Sequence, residues 1–436
     1  MEKKGSIYGL IPLIVFLVIY VSTGIFTGKI DNMPLLVAFA ITTGISFCLH
    51  NPQKPKLTLD EKVSMFCKGA GEETLILMVV IFLLAGAFYS VADAMGAVSS
   101  TVNLGLSILP MEMLLPGLFL TGCILSFSMG TSMGTVSALT PVAVGIANQT
   151  GISLALVCGV VVGGAMFGDN LSFISDTTIA ATRTQEVSMK DKFKVNFLVV
   201  LPAVILNIIF LMFMSGKGIA TGSYEYHLLN LLPYISIIVL ALLGLHVILV
   251  LTIGIGLGVV IGLMNGSFEM IEVFAVIQRG MGWMQNMAII ALVVGGVVAF
   301  MQYLGGIDYL LESLHSRIRS KKGAEFGISV LVSLIVLVST NNTVSIITAG
   351  PLAKDIADTF EIDRRRVAGL LDIFSSAFQG LMPYAGQLLV AAGMAQISPV
   401  SIMPYSWYSI LMVIMGILSI MTGFPKLKNK KKGYQK

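Results

Sequence analysis

The feature that most constrains this chain is a series of long apolar segments separated by short polar ones. About 20 apolar residues are enough for a helix to cross a bilayer, and the first such segment already occupies residues 7–27. Only 11% of the 436 residues are charged and 56% are hydrophobic, whereas a soluble domain carries about 25% charged residues. The sequence therefore predicts an all-α polytopic membrane protein and excludes a soluble enzyme.

Hydropathy predicts ten crossings and two re-entrant hairpins. The hairpins, residues 111–148 and 326–358, are apolar segments broken by a polar tip, and we expect their halves to be too short to cross. Two of the crossings, 152–182 and 366–396, are interrupted by polar residues. The other eight are predicted near residues 7–27, 33–49, 74–93, 193–214, 229–245, 247–264, 284–303 and 405–423.

The distribution of basic residues predicts the orientation. An even number of crossings places both termini on one side, and with the termini inside only Lys29, Lys217 and Arg279 of the 27 lysines and arginines fall outside. Cytoplasmic loops of membrane proteins carry an excess of Lys and Arg. Both termini, including a basic tail at 425–436, are therefore predicted to be cytoplasmic. The segment 7–27 is too long for the core of a signal peptide, which predicts a retained span.

The chain resembles itself weakly at a shift of about 210 residues. Pro141 matches Pro351, for example, and the order of spans, broken hairpin and interrupted span recurs. Each half crosses five times, an odd number, so the second half is predicted to lie upside down relative to the first. Such inverted repeats are typical of secondary transporters. The predicted repeats are residues 7–214 and 229–424.

Each half also contains an amphipathic stretch, at residues 57–68 and 268–279. In the first, the apolar Leu59, Val63 and Phe66 lie at helical spacing among charged residues. Each stretch is either an interfacial helix at the bilayer surface or an arm that joins a moving domain to a fixed one. The sequence leaves both alternatives open.

The most informative stretch is the interruption of the fourth span. It contains two carboxylates, Asp169 and Asp176, inside an otherwise apolar segment, where charged groups are costly and often functional. Burial favours the protonated carboxyl and a bound cation favours the carboxylate, so one such residue can bind Na⁺ and H⁺ in competition. The alternative is a structural ion pair, with Arg183 as one candidate partner. The candidate neutral ligands are Asn170, Ser172, Ser175 and Thr177.

Polar tips occur in both hairpins. Hydroxyl, amide and exposed carbonyl oxygens at membrane depth suit a hard cation such as Na⁺, although serine and threonine also hold helices together. The predicted tip ligands are Thr131, Ser132 and Thr135 in the first hairpin and Thr340, Asn341, Asn342 and Thr343 in the second.

The interruption in the second half lacks carboxylates. Asp169 aligns with Gln379 and Asp176 with Gly386, so the two half-sites are chemically unequal and the acidic one is predicted to carry the coupling. The candidate ligands of the second half-site are Gln379, Tyr384 and Gln387.

Asp372 lies about two turns before this second break. It is either a third titrating group or the partner of Arg365 or Arg366. The four histidines and four cysteines have no metal-ligand spacing, and no Walker loop or HExxH motif occurs in the sequence. An ATP-driven pump and a hydrolase therefore have no support, and no cofactor is predicted.

Two motifs resemble the NhaC family of Na⁺/H⁺ antiporters. Residues 130–135 read GTSMGT and residues 167–178 read FGDNLSFISDTT, close to the family patterns GTSxGT and FGDxxSPISDTT. Phe173 stands where many members carry proline. The resemblance covers most of the chain and implies exchange of Na⁺ for H⁺ across a prokaryotic plasma membrane, with Na⁺ bound through Asp169 and Asp176.

The resemblance also implies an architecture. The family belongs to the ion transporter superfamily, together with divalent anion:sodium symporters, which are homodimers with a scaffold domain and a transport domain that moves as an elevator. By analogy, the transport domain comprises residues 74–182 and 284–396, the remaining spans form the scaffold, and the amphipathic stretches are arms. Some related proteins exchange organic acids, so the alternative function is a Na⁺- or H⁺-coupled exchanger or symporter of a small organic acid or amino acid.

Overall fold

The fold is known from a computed structural model, and the regular structure within its described residues is entirely helical. The predictions on Lys29 and Lys217, and those on residues 428–436 of the basic tail, lie outside the described residues. The described ranges are residues 5–27, 32–51, 56–215, 225–315 and 319–427.

The helices fall into two runs of similar order. The first run is α1 Ile11–Thr27, α2 Leu35–Cys48, α3 Leu59–Ala70, α4 Glu73–Ala94, α5 Ala97–Ile108, α6 Leu114–Met129, α7 Ser132–Thr150, α8 Leu154–Leu171, α9 Asp176–Gln185 and α10 Met189–Ser215. The second run is α11 Leu232–Leu242, α12 Val247–Met264, α13 Val273–Tyr303, α14 Gly306–His315, α15 Lys321–Ser339, α16 Asn342–Thr359, α17 Arg364–Gln379, α18 Gly386–Ala395, α19 Pro399–Ile402 and α20 Trp407–Thr422.

A multi-pass membrane protein is supported by helix length and composition. Within the described ranges, seven helices are long and apolar enough to cross a bilayer, or eight if the pair α18 and Pro399–Tyr405, bent by 104°, counts as one span. Five of the ten predicted crossings coincide with these helices. Four others, 7–27, 33–49, 229–245 and 405–423, fall on shorter apolar helices.

Both predicted hairpins are present as pairs of helices joined at their polar tips. Their halves are longer than expected: Met111–Met129 and Lys321–Ser339 have 19 residues each and pass the same length test as the crossings. The expectation of short halves was wrong because the helices continue into polar flanks. For example, α15 begins at Lys321, before the apolar segment that hydropathy marks from residue 326.

The two hairpin tips have nearly the same backbone conformation. Gly130 and Thr340 are left-handed, with φ of 66° and 56°, and the next residues, Thr131 and Asn341, are extended, with φ of −141° and −139°. The tips are 210 residues apart, which is the shift of the predicted repeat. A β-branched residue at positive φ is strained, so the second tip keeps this turn without the glycine that makes it easy in the first.

Both interrupted spans are broken where the polar residues predicted it. Helix α8 ends at Leu171 and α9 begins at Asp176, while α17 ends at Gln379 and α18 begins at Gly386. The broken helices pack crosswise: α9 lies against α16 of the other half, and α18 lies against α7. This crosswise packing brings the two tips and the two breaks to one place. The opposite orientation of the two halves in the membrane stays a prediction.

The two amphipathic stretches differ in the structure. In the first, α3 is a separate helix because Gly71 ends it and the side chain of Glu72 accepts hydrogen bonds from the first amides of α4. In the second, no such pair of caps occurs, and Val273–Arg279 continues into the span as part of α13. The second stretch is therefore not a separate interfacial helix, and its role as an arm stays a prediction. Hydropathy did not predict α5 and α14, because their polar residues lower their mean hydropathy.

We expect Lys62 to hold the amphipathic helix α3 against α2. Its ammonium donates hydrogen bonds to the carbonyls of Phe47 and Leu49, at 2.6 and 2.7 Å, at the C-terminal end of α2, where a cation is favourable. Lys62→Met should lower stability by about 1–3 kcal/mol, measured by thermal unfolding in detergent. The control is Lys68→Met, since Lys68 is exposed on the same helix. Equal losses in both variants would contradict this role.

Candidate functional site

A polar cavity lies where the two tips meet the two breaks. Its volume is about 150 Å³. Its polar lining includes most of the residues predicted from the two half-sites, and one wall is formed by α4 through Thr74, Leu77, Met78 and Ile81, which the sequence analysis did not select. The predicted residues that line it are Thr131, Ser132, Asp169, Ser175, Asp176, Thr177, Thr340, Asn341, Asn342, Thr343, Gln379 and Gln387.

Asp169 is the buried acid of this cavity, with 4% of its surface exposed. Its Oδ2 accepts a hydrogen bond from the hydroxyl of Ser132 at 2.7 Å and another from the amide of Asn342 at 3.1 Å. One side-chain donor comes from each hairpin tip. The backbone N–H of Ser132 also interacts with this carboxyl group, so the first tip contributes both its hydroxyl and its amide.

The second break contributes a chain of amides that ends at the same acid. Gln379 donates to the carbonyl of Thr340 at 3.0 Å and to the side chain of Gln387 at 3.1 Å. Gln387 in turn donates to the hydroxyl of Ser132 at 3.0 Å, and that hydroxyl donates to Asp169. The half-site without carboxylates therefore orients the serine that holds the carboxylate of the other half.

Four helix N-termini converge on this cavity. Its lining includes the first residue of α7, α9 and α16, namely Ser132, Asp176 and Asn342, and the second residue of α18, Gln387. A helix N-terminus carries partial positive charge from its unpaired amide groups. These four ends stabilise a carboxylate in the cavity and offset part of the cost of burying one.

The two acids of the first break have different environments. Asp176 has an exposed side chain and lies at the rim of the cavity as the first residue of α9. Both acids belong to the candidate span Leu154–Gln185, but only Asp169 is buried, whereas Asp176 lies past the break with an exposed side chain. Arg183, the candidate partner, is also exposed and forms no ion pair with either acid.

Five predicted site residues lie outside the cavity lining, and four of them bind neighbouring groups of the protein. Asn170 faces the opposite way and accepts a hydrogen bond from the hydroxyl of Tyr408 at 3.0 Å. The hydroxyls of Ser172 and Thr135 donate to nearby carbonyls. Tyr384 donates to the carbonyl of Leu337 at 3.0 Å and packs against aromatic rings of α1 and α2.

Asp372 is fully buried and also lies outside the cavity lining. Its partner is Lys192 of α10, with 2.5 Å between Nζ and Oδ2, and neither of the arginines predicted for it. Arg365 pairs with Asp363, and Arg366 pairs with Glu325. The positive-inside pattern predicts Lys192 as a cytoplasmic basic group, whereas its side chain is only 1% exposed.

The first tip also spells the string G-x-S-x-G, from Gly130 to Gly134, as in the nucleophile elbow of hydrolases. That elbow joins a strand to a helix, whereas this tip joins two helices. The hydroxyl of Ser132 donates to a carboxylate rather than to a histidine. The string is therefore no evidence for a catalytic serine.

Comparisons with known protein sequences agree with the family that the motifs suggest. The sequence profile of the Na⁺/H⁺ antiporter family matches residues 4–217 and 220–424. The Na⁺/H⁺ antiporter NhaC of Alkalihalophilus pseudofirmus is 25% identical, with 96% of each chain covered. NhaC of Bacillus subtilis is 24% identical, with 98% of this chain and 99% of the relative covered. The malate-2H⁺/Na⁺-lactate antiporter of Bacillus subtilis is 23% identical, with 79% and 81% covered.

These matches extend over both halves of the sequence and include both motifs that suggested NhaC. The family is one of transporters, with no catalytic family indicated. The chain therefore belongs to the Na⁺/H⁺ antiporter family.

Proposed function

We propose that this protein exchanges Na⁺ for H⁺ and that Asp169 binds the two in turn. The observation that carries the proposal is the buried carboxylate held by one donor from each hairpin tip. A proton or a Na⁺ neutralises the carboxylate, but both cannot occupy the same oxygen. Na⁺ binding therefore releases the proton, and proton binding releases Na⁺, which is the competition that an exchanger needs.

The contents of the cavity suit a small hard cation. Besides Asp169, the lining offers the hydroxyls of Ser175 and Thr177 and the side chains of both tips, all with oxygen ligands of the kind that Na⁺ binds. The volume of about 150 Å³ is below the roughly 300–1,000 Å³ of pockets that hold organic ligands. Size and ligand chemistry together favour a bare or partly hydrated cation.

The alternative is exchange of a small organic anion coupled to Na⁺ or H⁺. Two observations favour it: four helix N-termini at the cavity, which suit a carboxylate substrate, and similarity to a malate-2H⁺/Na⁺-lactate antiporter. In this case the anion would bind at the helix ends beside a Na⁺ held by Asp169, and a wider state of the cavity would be required.

Transport in proteoliposomes distinguishes the two functions. Purified protein is reconstituted with a pH-sensitive dye inside, a pH gradient is imposed, and Na⁺, Li⁺, K⁺, malate or lactate is added outside. Dissipation of the gradient by Na⁺ alone supports the exchanger. A response only when an organic acid is present with Na⁺ would support the alternative and contradict the first proposal.

We expect Asn342→Ala to raise the Na⁺ concentration for half-maximal exchange roughly 10- to 100-fold. The variant loses a hydrogen bond to the charged form of Asp169, worth about 1.5–3 kcal/mol, so the carboxylate competes less well for Na⁺ against protons. The measurement is the Na⁺ dependence of the dye signal at fixed pH. Ser345→Ala is the control, because Ser345 lies on the same helix and bonds only within its own hairpin. A comparable shift in that control would argue against a specific role for Asn342.

The cellular and mechanical parts of the proposal rest on the family. We place the protein in a prokaryotic plasma membrane with both termini cytoplasmic, as a homodimer. Its transport domain, residues 74–182 and 284–396, would move as an elevator against the remaining spans. Crosslinking between α4 and α12, which pack together across the proposed boundary, tests this motion: a locked pair should stop transport while Na⁺ binding persists.

A further inference from the structure

A second cluster of oxygen atoms lies behind the first break, outside the cavity. The ammonium of Lys192 is its centre. Its Nζ lies 2.5 Å from Oδ2 of Asp372, 2.8 Å from the carbonyl oxygen of Asn170 and 2.7 Å from the hydroxyl of Thr178. The Lys192 and Asp372 side chains are 1% and 0% exposed, so water has almost no access. Asn196 of α10 also donates to Asp372, at 2.8 Å.

The three acceptors resemble the ligands of a hard cation more than those of an ordinary salt bridge. They are a carboxylate, a backbone carbonyl and a hydroxyl, which is the donor set that Na⁺ takes from proteins. The carbonyl belongs to the last turn of α8, so its usual helical partner is removed by the break. The hydroxyl belongs to the first turn of α9. The ammonium thus joins both ends of the broken helix to α17.

We infer that this cluster is a second cation site, which the chain fills with its own lysine. The Lys192 ammonium carries a positive charge and three N–H donors on a flexible side chain. Each of the three oxygens accepts one hydrogen bond from it. Asp372 is thereby neutralised without a mobile ion, and Asp169 is the buried carboxylate left for transported cations. The inference deepens the proposed function, since it limits the number of exchanged cations to those bound in the cavity.

The inference predicts that removing the ammonium and leaving space creates a Na⁺ site. Lys192→Ala keeps all three oxygens and opens room for an ion, whereas Lys192→Met fills the same space with an apolar side chain of similar length. Both are made in an Asp169→Asn background, so that the cavity itself contributes no Na⁺ binding. Adding Asp372→Asn to the alanine variant removes the carboxylate of the cluster.

The measurement is thermal unfolding of the purified protein in NaCl and in choline chloride, with ²²Na⁺ equilibrium binding on the same samples. Asp169→Asn alone should bind no Na⁺ and show no Na⁺-dependent shift. Asp169→Asn/Lys192→Ala should bind about one Na⁺ and gain at least about 3 °C in NaCl. The methionine variant and the variant that also carries Asp372→Asn should gain nothing.

The inference would be overturned if NaCl did not raise the unfolding temperature of the alanine variant, or if it raised that of the methionine variant equally. Lys192 would then be one half of a structural ion pair. The same holds if the methionine variant can be purified in NaCl and the alanine variant cannot, because a cluster that takes Na⁺ should tolerate alanine better. None of these readouts depends on transport. Failure of the intact protein to exchange Na⁺ for H⁺ would therefore contradict the proposed function separately.

Discussion

Replacing Asp169 with asparagine should abolish Na⁺/H⁺ exchange, with a loss of at least about 100-fold. An amide carries neither a negative charge to neutralise Na⁺ nor a proton to release, so both half-reactions fail together. The fold should survive, because the amide oxygen can still accept the hydrogen bonds that Ser132 and Asn342 donate. The substitution also removes a buried charge, and such a charge is unfavourable without a bound cation. Thermal stability in Na⁺-free buffer should therefore not fall.

The dye assay in proteoliposomes measures this loss, and Asp176→Asn is its matched control. Asp176 belongs to the same motif and lines the same cavity, but its side chain is exposed. At that position the charge attracts Na⁺ to the cavity without binding it. We therefore expect Asp176→Asn to lower exchange less than tenfold, and the decrease should be smaller at high salt. Exchange that persists in Asp169→Asn, or a larger loss in Asp176→Asn, would show that the rim acid carries the coupling.

Arg366→Met should destabilise the protein by about 3–5 kcal/mol. The guanidinium of Arg366 is buried and donates to Glu325 at 2.7 Å, and also to the carbonyls of Ser419 and Phe424 at the end of α20. It therefore ties α15 and α17 to α20. Its removal leaves the Glu325 carboxylate, which is 5% exposed, without its cation. The carbonyl of Ser419 also loses the guanidinium donor, whereas the carbonyl of Phe424 keeps the hydroxyl of Ser419 as a donor.

The control for this prediction lies two residues earlier in the chain. Arg364 pairs with Asp358 and Glu186, but its side chain is 31% exposed, and exposed ion pairs contribute about 0–1 kcal/mol. Unfolding in mixed detergent micelles should therefore separate Arg366→Met clearly from Arg364→Met. The double variant Arg366→Met/Glu325→Leu should recover part of the loss, since no unpaired charge is left. Similar losses for both arginines would contradict the burial argument.

The hydrogen bonds around Asp169 also show that both halves of the chain contribute donors to one carboxylate. Ser132 belongs to the first tip and Asn342 to the second, and Gln387 of the second break positions Ser132. In the exchange that we propose, a shift of either tip would change the number of donors on the carboxylate and hence its preference for Na⁺ or H⁺. The site therefore depends on both halves, although only one of them supplies the buried acid.

The sequence was sufficient to predict the membrane class, the hairpins, both helix breaks and the family. These properties are local: apolar length determines whether a helix suits a membrane, and glycine and polar residues determine where it stops. The motif around Asp169 is also local, which is why Asp169 and both tips could be selected as site residues. The bounds of α13 could not be predicted from hydropathy. The helix continues through Arg279 because no capping residues end it there, and hydropathy does not detect caps.

Only the tertiary structure decided which polar residues share one space. Asp169 and Asp176 belong to one motif, but packing buries the first, in the last turn of α8, and leaves the second exposed at the start of α9. Lys192 reads as a loop cation in the sequence, yet it lies buried against Asp372, 180 residues away in the chain. Pairing of buried charges depends on the packing of helices that are distant in sequence. A hydropathy profile describes each helix alone and contains no information on its neighbours.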